Sequence, residues 1–504
     1  MIENMHMGFR LRNIQISGHP VLKSTNVTFC DDEKNEPVVY TTGIIGANGT
    51  GKSYLIGAIA TIFSDIYRAK TNGELGSKRF SFTVVYDYNG DTYRVSNVHV
   101  LDRARKMEAA DNHTYNIYAT RNRLPIQLKH LMLPEKVIAS TMTVTDKFLA
   151  RSDEFYRYKG IRNERSASTT GTRTIVRKTV ESLMDCMAEK SAFQTELSIL
   201  LNKLGLEEHL HVSYGMRYKN IFLRSDMNSD MLRSRFDNWK STFGDRENAP
   251  WGLNSYERLR DNEEALTAAA DFLAKYARQY EVGRSVVANY DLMTNPGAFQ
   301  QDAGALKVLS QLDLVSFPTI NVVKQGTGFK FENSSSGETH LLCQFIGIMA
   351  DIRHNSLILI DEPENSSHPD WQMSYVGWLK EIFKDYNNCH FVIATHSPLI
   401  LANMKASEST IVRLKRDEVN RILDEGGMQD GCYSWTVDEI LQDVMKMQHI
   451  RTEEFTKALS DFETARDSDD KLKAQDAYER LLPLIRPGNV LAELLRIQMI
   501  GLNK

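Results

Sequence analysis

Along the first hundred residues of this chain, apolar and polar positions alternate at strand period, break off, and then recur at helical spacing. The runs LRNIQI, VVYTTGII, FTVVYDY and DTYRVSNV are rich in β-branched and aromatic residues. The last two are joined by Asn89-Gly90, a dipeptide suited to a type I′ hairpin turn. Between the second and third run, residues 53–67 lack proline and space Leu55, Ile59, Ile62 and Ile66 three or four apart, which predicts a helix buried on one face. One αβ lobe begins in this stretch.

From 151 to 178 the pattern turns polar and rich in Ser, Thr and Arg (SASTTGTRT), which reads as a mobile loop at a boundary. Beyond it, Val180, Leu183, Met187, Leu197, Leu201 and Leu204 follow a near-heptad spacing. Leu259, Leu266, Leu273 and Tyr280 recur every seven residues. These two seams predict helices of an insertion that packs on itself or on a neighbour, too interrupted for a long coiled-coil arm. Short strands resume at FPTINVV and GFKFEN. LILIDEP and HFVIATHSP then read as buried strands of a parallel sheet, with a helix over 371–386 between them. From 437 to 500 the chain is charged and helical in pattern, broken at Pro483 and Pro487, and reads as an assembly element.

Composition narrows the class. With 504 residues, 42% hydrophobic and 25% charged, the chain has enough apolar residues for two or three cores. No apolar run is long enough to span a bilayer, and the start lacks the apolar stretch of a signal peptide, so the expectation is a cytoplasmic protein with no membrane partner. The five cysteines are scattered without a CxxC pair, which suggests neither a disulfide framework nor a zinc site. A formal charge of −4 gives no global attraction to nucleic acid, so any such contact needs a local patch. One candidate is the stretch from Arg151 to Lys178. It holds eight basic residues against three acidic ones, with Tyr156 and Tyr158 interleaved as possible base-stacking rings. A solvated loop is the plainer reading of the same charges.

Four motifs carry chemistry. Residues 46–53, GANGTGKS, fit the phosphate-binding pattern G-x-x-x-x-G-K-[ST] between an apolar strand and a helix. Gly46, Asn48, Gly49 and Gly51 let backbone N–H groups curl around phosphate oxygens, Lys52 holds the β- and γ-phosphates, and Ser53 places its hydroxyl on Mg²⁺. At the end of LILI stand Asp361 and Glu362. Asp361 is placed to reach the Mg²⁺ shell, and Glu362 to polarise an attacking water as general base. Residues 334–338, SSSGE, precede the helical stretch THLLCQFIGIMADI; read alone they are a helix cap. His396, in ATHSP at the end of a buried strand, is within reach of a γ-phosphate if the strands align, and otherwise is a structural histidine.

In this order and spacing GANGTGKS, SSSGE, LILIDEPE and ATHSP resemble the ABC-type ATPase heads of the SMC, RecF and OLD group. The resemblance covers about residues 8–100 and 315–405. It implies an α/β fold, an ABC-type ATPase head of mixed β-sheet with flanking helices. The head would be split as 1–150 with the P-loop and 315–430 with signature, Walker B and switch histidine. A mostly helical insertion at 151–314 and a helical assembly region at 431–504 complete the expected division. It further implies ATP and Mg²⁺ as cofactors and a head-to-head dimer, in which Ser335 and Gly337 of one head cap the nucleotide on the other. Asp361 is then the Walker B aspartate, Glu362 the catalytic glutamate, His396 the switch histidine, and residues 364–368 the D-loop crossing the dimer. Two departures stand out: Ser334 and Ser336 replace the usual Leu and Gly of the signature. In addition, the segment KVIASTMTVTDKF lacks the glutamine these heads use near Mg²⁺, Gln127 being out of position, which implies slow turnover.

IDEPENSSHPDWQ, KVIASTMTVTDKF and the short helical C-terminal region resemble one subgroup, the ATPase subunits of anti-phage defence systems of the Septu (PtuA) and retron-associated kind. That likeness implies a dimer or larger ring that regulates a separate nuclease, often of HNH type. The alternative is a RecF- or SMC-like DNA-binding ATPase of DNA repair or maintenance, with the basic segment as its DNA contact.

Overall fold

In the computed structural model, the described residues are 8–30, 39–73, 80–97, 117–162, 172–189, 192–243, 252–279, 287–417, 422–424, 432–433, 435–445, 452–485 and 489–502. The chain divides into two compact units, residues 1–434 and 435–504.

Three sheets build the first unit. A six-stranded antiparallel sheet runs in the order β2 (Lys23–Thr28), β1 (Arg10–His19), β4 (Ser81–Tyr88), β5 (Asp91–Ser96), β6 (Tyr118–Arg121) and β7 (Leu124–Ile126). The β4–β5 turn holds Asn89 at φ +51° and Gly90 at φ +85°, the left-handed pair that a type I′ hairpin demands. The largest sheet has seven strands, ordered β17 (Ile422–Asp424), β16 (Ser409–Arg416), β3 (Tyr40–Ile45), β15 (His390–Ala394), β14 (Leu357–Asp361), β8 (Val137–Thr141) and β9 (Tyr156–Lys159). All its pairings are parallel except that of β17 with β16. The third sheet, β11 (Val287–Asp291), β10 (Leu210–Gly215), β12 (Thr319–Lys324) and β13 (Thr327–Lys330), is antiparallel.

Helix α1 (Lys52–Asn72) fills the space between the first two sheets. Its Leu55, Ile59, Ile62 and Ile66 are fully buried, and they share one core with Ile14 and Ile16 of β1, Val84 and Tyr86 of β4, and Leu357 and Leu359 of β14. Alternation within a strand sends Ile358 and Ile360 to the opposite face. On that side rings stack from Phe345 through Phe383 to Phe391 of β15. The seam between the sheets is closed by the buried His390. Its Nδ1 accepts from the Leu11 N–H at 3.1 Å, and its Nε2 meets the Thr42 hydroxyl at 2.8 Å. Burial, with the charges of Arg10 and Arg12, drives its pKa well down, so the ring is neutral.

The region expected to be helical holds α2 (Thr172–Glu189), α3 (Phe193–Lys203), α4 (Lys219–Phe222), α5 (Ser229–Phe243), α6 (Leu253–Leu259), α7 (Glu263–Gln279) and α8 (Pro296–Gln311). It also supplies β10 and β11, which join β12 from beyond residue 315. The first apolar seam is buried at Val180, Leu183, Leu197, Leu201 and Leu204 but is shared by two helices, α2 and α3. The seven-residue run from Leu259 does not form one helix: the break at 260–262 separates α6 from α7. The side chains of Met187 and Tyr280 lie outside the described residues.

The parallel lobe is completed by α9 (Ser336–Asp351), α10 (Pro369–Ile382) and α11 (Pro398–Leu401). The second unit holds α12 (Val437–Glu439), α13 (Glu453–Asp467), α14 (Lys471–Leu481) and α15 (Val490–Leu502). It has its own small core of Phe455, Phe462, Ala474, Leu481, Leu495 and Met499. Its acidic stretch is structural: Asp470 caps α14 by accepting from the Lys473 N–H, and Asp467 pairs with Arg466. All five cysteines are buried and none forms a disulfide, and no helix among the described residues is long and apolar enough to cross a membrane.

Candidate active site

The carboxyl ends of β3, β14 and β15 lie side by side, and parallel pairing puts everything that follows each strand on one rim. After β3 the chain makes a loop that only glycine permits at several points. Gly49 and Gly51 sit at φ +80° and +93°, and a Cβ on Gly46 would stand 2.4 Å from the Leu414 carbonyl oxygen. Thr50 closes the loop through N–H and hydroxyl, both onto the Ala47 carbonyl. α1 then starts at Lys52 with no side-chain cap, so its first N–H groups stay free for an anion.

Lys52 curls back over this loop. Its ammonium donates to the Gly46 carbonyl at 2.6 Å and meets His396 Nδ1 at 3.1 Å. Burial pulls its pKa down to about 8, against the opposing pull of Glu364, Glu362 and Asp361. The Ser53 hydroxyl donates to Asp361 Oδ1 at 3.0 Å. Asp361 is buried beneath it, and desolvation, reinforced by neighbouring carboxylates and opposed by the Ser53 bond, pushes its pKa up to about 7. A hydroxyl beside a buried carboxylate starved of positive charge is the hard oxygen pair that Mg²⁺ takes, so the residues present fit that ion.

Glu362 occupies the left-handed region at φ +50°, a conformation costing on the order of 1–2 kcal/mol for an L-residue. The strain turns its side chain toward the rim. Its N–H donates to the Ala394 carbonyl, Asn365 donates to its Oε2 at 3.1 Å, and its Oε1 lies 3.5 Å from His396 Nε2. Since the Lys52 ammonium can only donate, His396 Nδ1 accepts and the ring proton sits on Nε2, facing Glu362. Burial, then the Lys52 charge, lowers the His396 pKa, which keeps the ring neutral at neutral pH.

Two contributors escaped the sequence reading. Glu364, expected only as the start of a segment crossing to a second head, turns its carboxylate inward: it accepts the Thr395 hydroxyl at 2.9 Å and the His396 N–H at 2.6 Å. Burial raises its pKa. Arg416, at the end of β16, donates to the Gly49 carbonyl at 2.8 Å and ties the phosphate loop to the next strand. No motif marks it; only the strand order brings it there.

The site residues thus fall in two groups. Residues 46–53, Asp361, Glu362 and His396 converge. Ser335 and Gly337 do not join them. Ser335 forms a capping box with Glu338, accepting its N–H at 3.2 Å while donating its own N–H to the Glu338 carboxylate at 3.0 Å. Gly337 lies against the turn after Glu362, where a Cβ would stand 2.4 Å from the Ser366 carbonyl oxygen. The Lys324 ammonium, 2.7 Å from Glu338, anchors the cap to β12.

Among the described residues, no hydrogen bond joins a glutamine to Asp361. β8 ends there on Thr141, the register partner of Asp361, whose hydroxyl meets that of Thr143 at 3.0 Å. Gln127 is exposed at the end of β7, in the other sheet.

The expected mobile basic loop is corrected over its described part. Residues 156–159 form β9, because Tyr156 and Tyr158 are buried in the core and cannot serve as stacking rings. Arg157 and Lys159 pair with Asp351, and Arg162 forks onto Asp146 at 2.9 and 2.5 Å. Lys178 donates to the Gly160 and Arg162 carbonyls. Arg165 and the side chain of Arg173 lie outside the described residues. The six described basic residues, Arg151, Arg157, Lys159, Arg162, Arg177 and Lys178, each have a partner within the fold and together line one pocket, so only the stacking role given to Tyr156 and Tyr158 falls.

Comparison of the sequence with known proteins points the same way as the site. Residues 216–402 match the family described as "AAA domain, putative AbiEii toxin, Type IV TA system". The Septu protein PtuA of Bacillus thuringiensis is 30% identical over 146 residues, 29% of this chain and 36% of that protein. The Retron Vc95 probable ATPase of Vibrio cholerae serotype O1 biovar El Tor is 29% identical over 108 residues, 18% of this chain and 20% of that one. The matched stretches therefore span about a third and a fifth of these curated relatives. Among solved structures, the SMC head domain from Thermotoga maritima overlaps 82% of this chain and 97% of its own at 13% identity and a TM-score of 0.35. The Smc head of Pyrococcus furiosus bound to the C-terminal domain of ScpA overlaps 83% and 96%, at 10% identity and 0.34. By its motifs and their geometry the chain carries an ABC-type ATPase head, and over part of its length it is similar in sequence to defence-system ATPases.

Proposed function

We propose that this chain is the ATP-binding and ATP-hydrolysing subunit of an anti-phage defence assembly, and that its nucleotide state regulates a separate nuclease subunit. The observation that carries the chemistry is the convergence of Lys52, Ser53, Asp361, Glu362 and His396 on one rim. The similarity to the Septu protein PtuA and the Retron Vc95 ATPase supports the setting.

ATP is the substrate, and Mg²⁺ held by Ser53 and Asp361 would offset phosphate charge. Lys52 and the free N–H groups at the start of α1 bind the phosphates, with the Arg416 bond holding the loop in shape. Glu362, strained toward the rim and restrained by Asn365, takes the proton of the attacking water. Neutral His396 offers its Nε2–H beside Glu362, and its backbone is fixed by Glu364. Thr141 and Thr143 stand where related heads place glutamine, and a hydroxyl orients water less firmly than an amide that both donates and accepts at longer reach; turnover is accordingly slow.

The signature supports a paired arrangement. Ser335 is exposed, capped and held away from its own phosphate loop, so two copies head to head would place it over the partner's nucleotide. The nuclease partner, of HNH type, is read from the subgroup resemblance. The deciding experiment is native mass measurement of the assembly expressed from its own operon, with and without ATP and with Glu362→Gln. The reading expects a paired ATPase bearing a nuclease chain and tighter association in the variant with ATP. A monomer that copurifies with nothing and cuts DNA by itself would refute it.

A further inference from the structure

A second cluster of ligand-forming side chains lies far along the chain from the phosphate loop, on the sheet of the insertion. His209 precedes β10 and His211 lies within it, two residues apart and therefore on one face. Their rings run nearly parallel, centroids 6.1 Å apart. Asp291, at the end of β11, is the cross-strand partner of His211. One ligand atom from each residue can be chosen so that all three lie within 4.8 Å of one another.

The distances exclude simple hydrogen bonding. Asp291 Oδ2 is 3.9 Å from His209 Nδ1 and 4.0 Å from His211 Nε2, whereas a charge-assisted bond would bring such atoms to about 2.8 Å. The other carboxylate oxygen is already employed, accepting the Met293 and Thr294 N–H groups at 3.0 and 3.3 Å in the turn that follows. That turn fixes the carboxylate and leaves Oδ2 facing both imidazoles. Around a tetrahedral ion with ligand bonds of about 2.0–2.2 Å, ligand atoms stand roughly 3.3–3.5 Å apart. A closure of about half an ångström at each Asp–His pair, and of up to about 1.5 Å between the two imidazoles by rotation of the exposed His209, would bring the three ligand atoms to that value.

We propose that His209, His211 and Asp291 form a binding site for a borderline divalent transition metal of the zinc type, with solvent completing the coordination. Two imidazoles and one carboxylate suit such an ion and disfavour Mg²⁺, which takes oxygen ligands. All three side chains are partly exposed, so the ion enters without opening the fold. The position has a structural consequence. β10 pairs with β11 on one side and β12 on the other, and β12 ends at Lys324, which holds the Glu338 carboxylate of the signature cap. An ion at this site braces the sheet on which the signature helix is anchored.

The test is titration of untagged, full-length, nucleotide-free protein with Co²⁺, followed by its visible absorption, and then displacement by Zn²⁺. The buried cysteines do not compete while the chain is folded. One equivalent should saturate the signal, and His211→Ala and Asp291→Asn should each weaken binding more than about tenfold. His209→Ala alters an exposed side chain, so it keeps the test valid if His211→Ala fails to fold; circular dichroism checks both. Absence of a cobalt signal in the wild type, or wild-type affinity in folded His209→Ala, overturns the proposal.

Discussion

The two halves of the proposed nucleotide site are built on opposite plans. The half formed by Lys52, Ser53, Asp361, Glu362, Glu364 and His396 is bonded across three segments of chain, each partner held by the next. The half formed by Ser335 and Gly337 is bonded almost wholly to its own helix start and to the adjoining turn. One is a network ready to receive phosphate. The other is an exposed, capped helix start that, in the proposed pair, would serve a second head. Changes in the network should disable a single chain, whereas changes in the cap should disable only the pair.

The largest effect expected is from Glu362→Gln. It should lower ATP turnover about 10²–10⁴-fold while leaving nucleotide bound, checked by phosphate release against fluorescent-nucleotide titration. Unchanged turnover would remove Glu362 from the network. Next, Lys52→Ala deletes charge-assisted bonds worth about 2–3 kcal/mol and should weaken ATP binding roughly a hundredfold in a single chain. Ser335→Arg should leave binding by one chain within about twofold and cut turnover at least tenfold, by the magnitude of lost transition-state contacts. Mixing Ser335→Arg with Lys52→Ala protein should then restore part of the activity, because one intact site remains in each mixed pair. Restoration that fails while both variants are folded would break the comparison.

pH probes the network alone. The Asp361 pKa is raised, mainly by burial, from its ordinary range to about 7. A folded value above the unfolded one means that its contribution to stability is full below about pH 4 and is lost as pH rises through about 7. In the nucleotide-free protein the urea midpoint should fall over that window, and Asp361→Asn should flatten the trend. Mg²⁺ needs the ionised carboxylate, so its affinity in the presence of ATP should rise about tenfold between pH 6 and 8 in the wild type. The smallest effect is from Arg416→Ala, which removes one bond to the Gly49 carbonyl. About 1 kcal/mol, or roughly fivefold in ATP affinity, should be lost.

The sequence exposed the network better than it exposed its supports. Glycines with positive φ, a lysine and serine at a helix start, and paired carboxylates after an apolar run are local patterns, and the structure puts them on one rim. Glu364 and Arg416 were invisible because their roles depend on which strands neighbour one another: β15 beside β14, and β16 beside β3. The basic segment was misread for a related reason. Tyr156 and Tyr158 at period two are a strand signal, but the surrounding arginines outweighed it, and their partners Asp146 and Asp351 are far away or out of pattern. The heptad run through Leu259 failed where local polarity at 260–262 ended one helix and began another. β10 and β11 were missed because each is short and finds its neighbour only across a long insertion.

The close approach of Gly337 to the Ser366 carbonyl makes the signature and the catalytic turn a single mechanical part. A shift of that turn, of the kind that loss of the γ-phosphate from Glu362 and His396 would allow, would be felt at the helix start that rests against it. In the proposed head-to-head pair, that helix start would grip the other chain's nucleotide. Spending one ATP would therefore loosen the hold on the second, and the pair would behave as a latch with two keys, in which turning either key frees both.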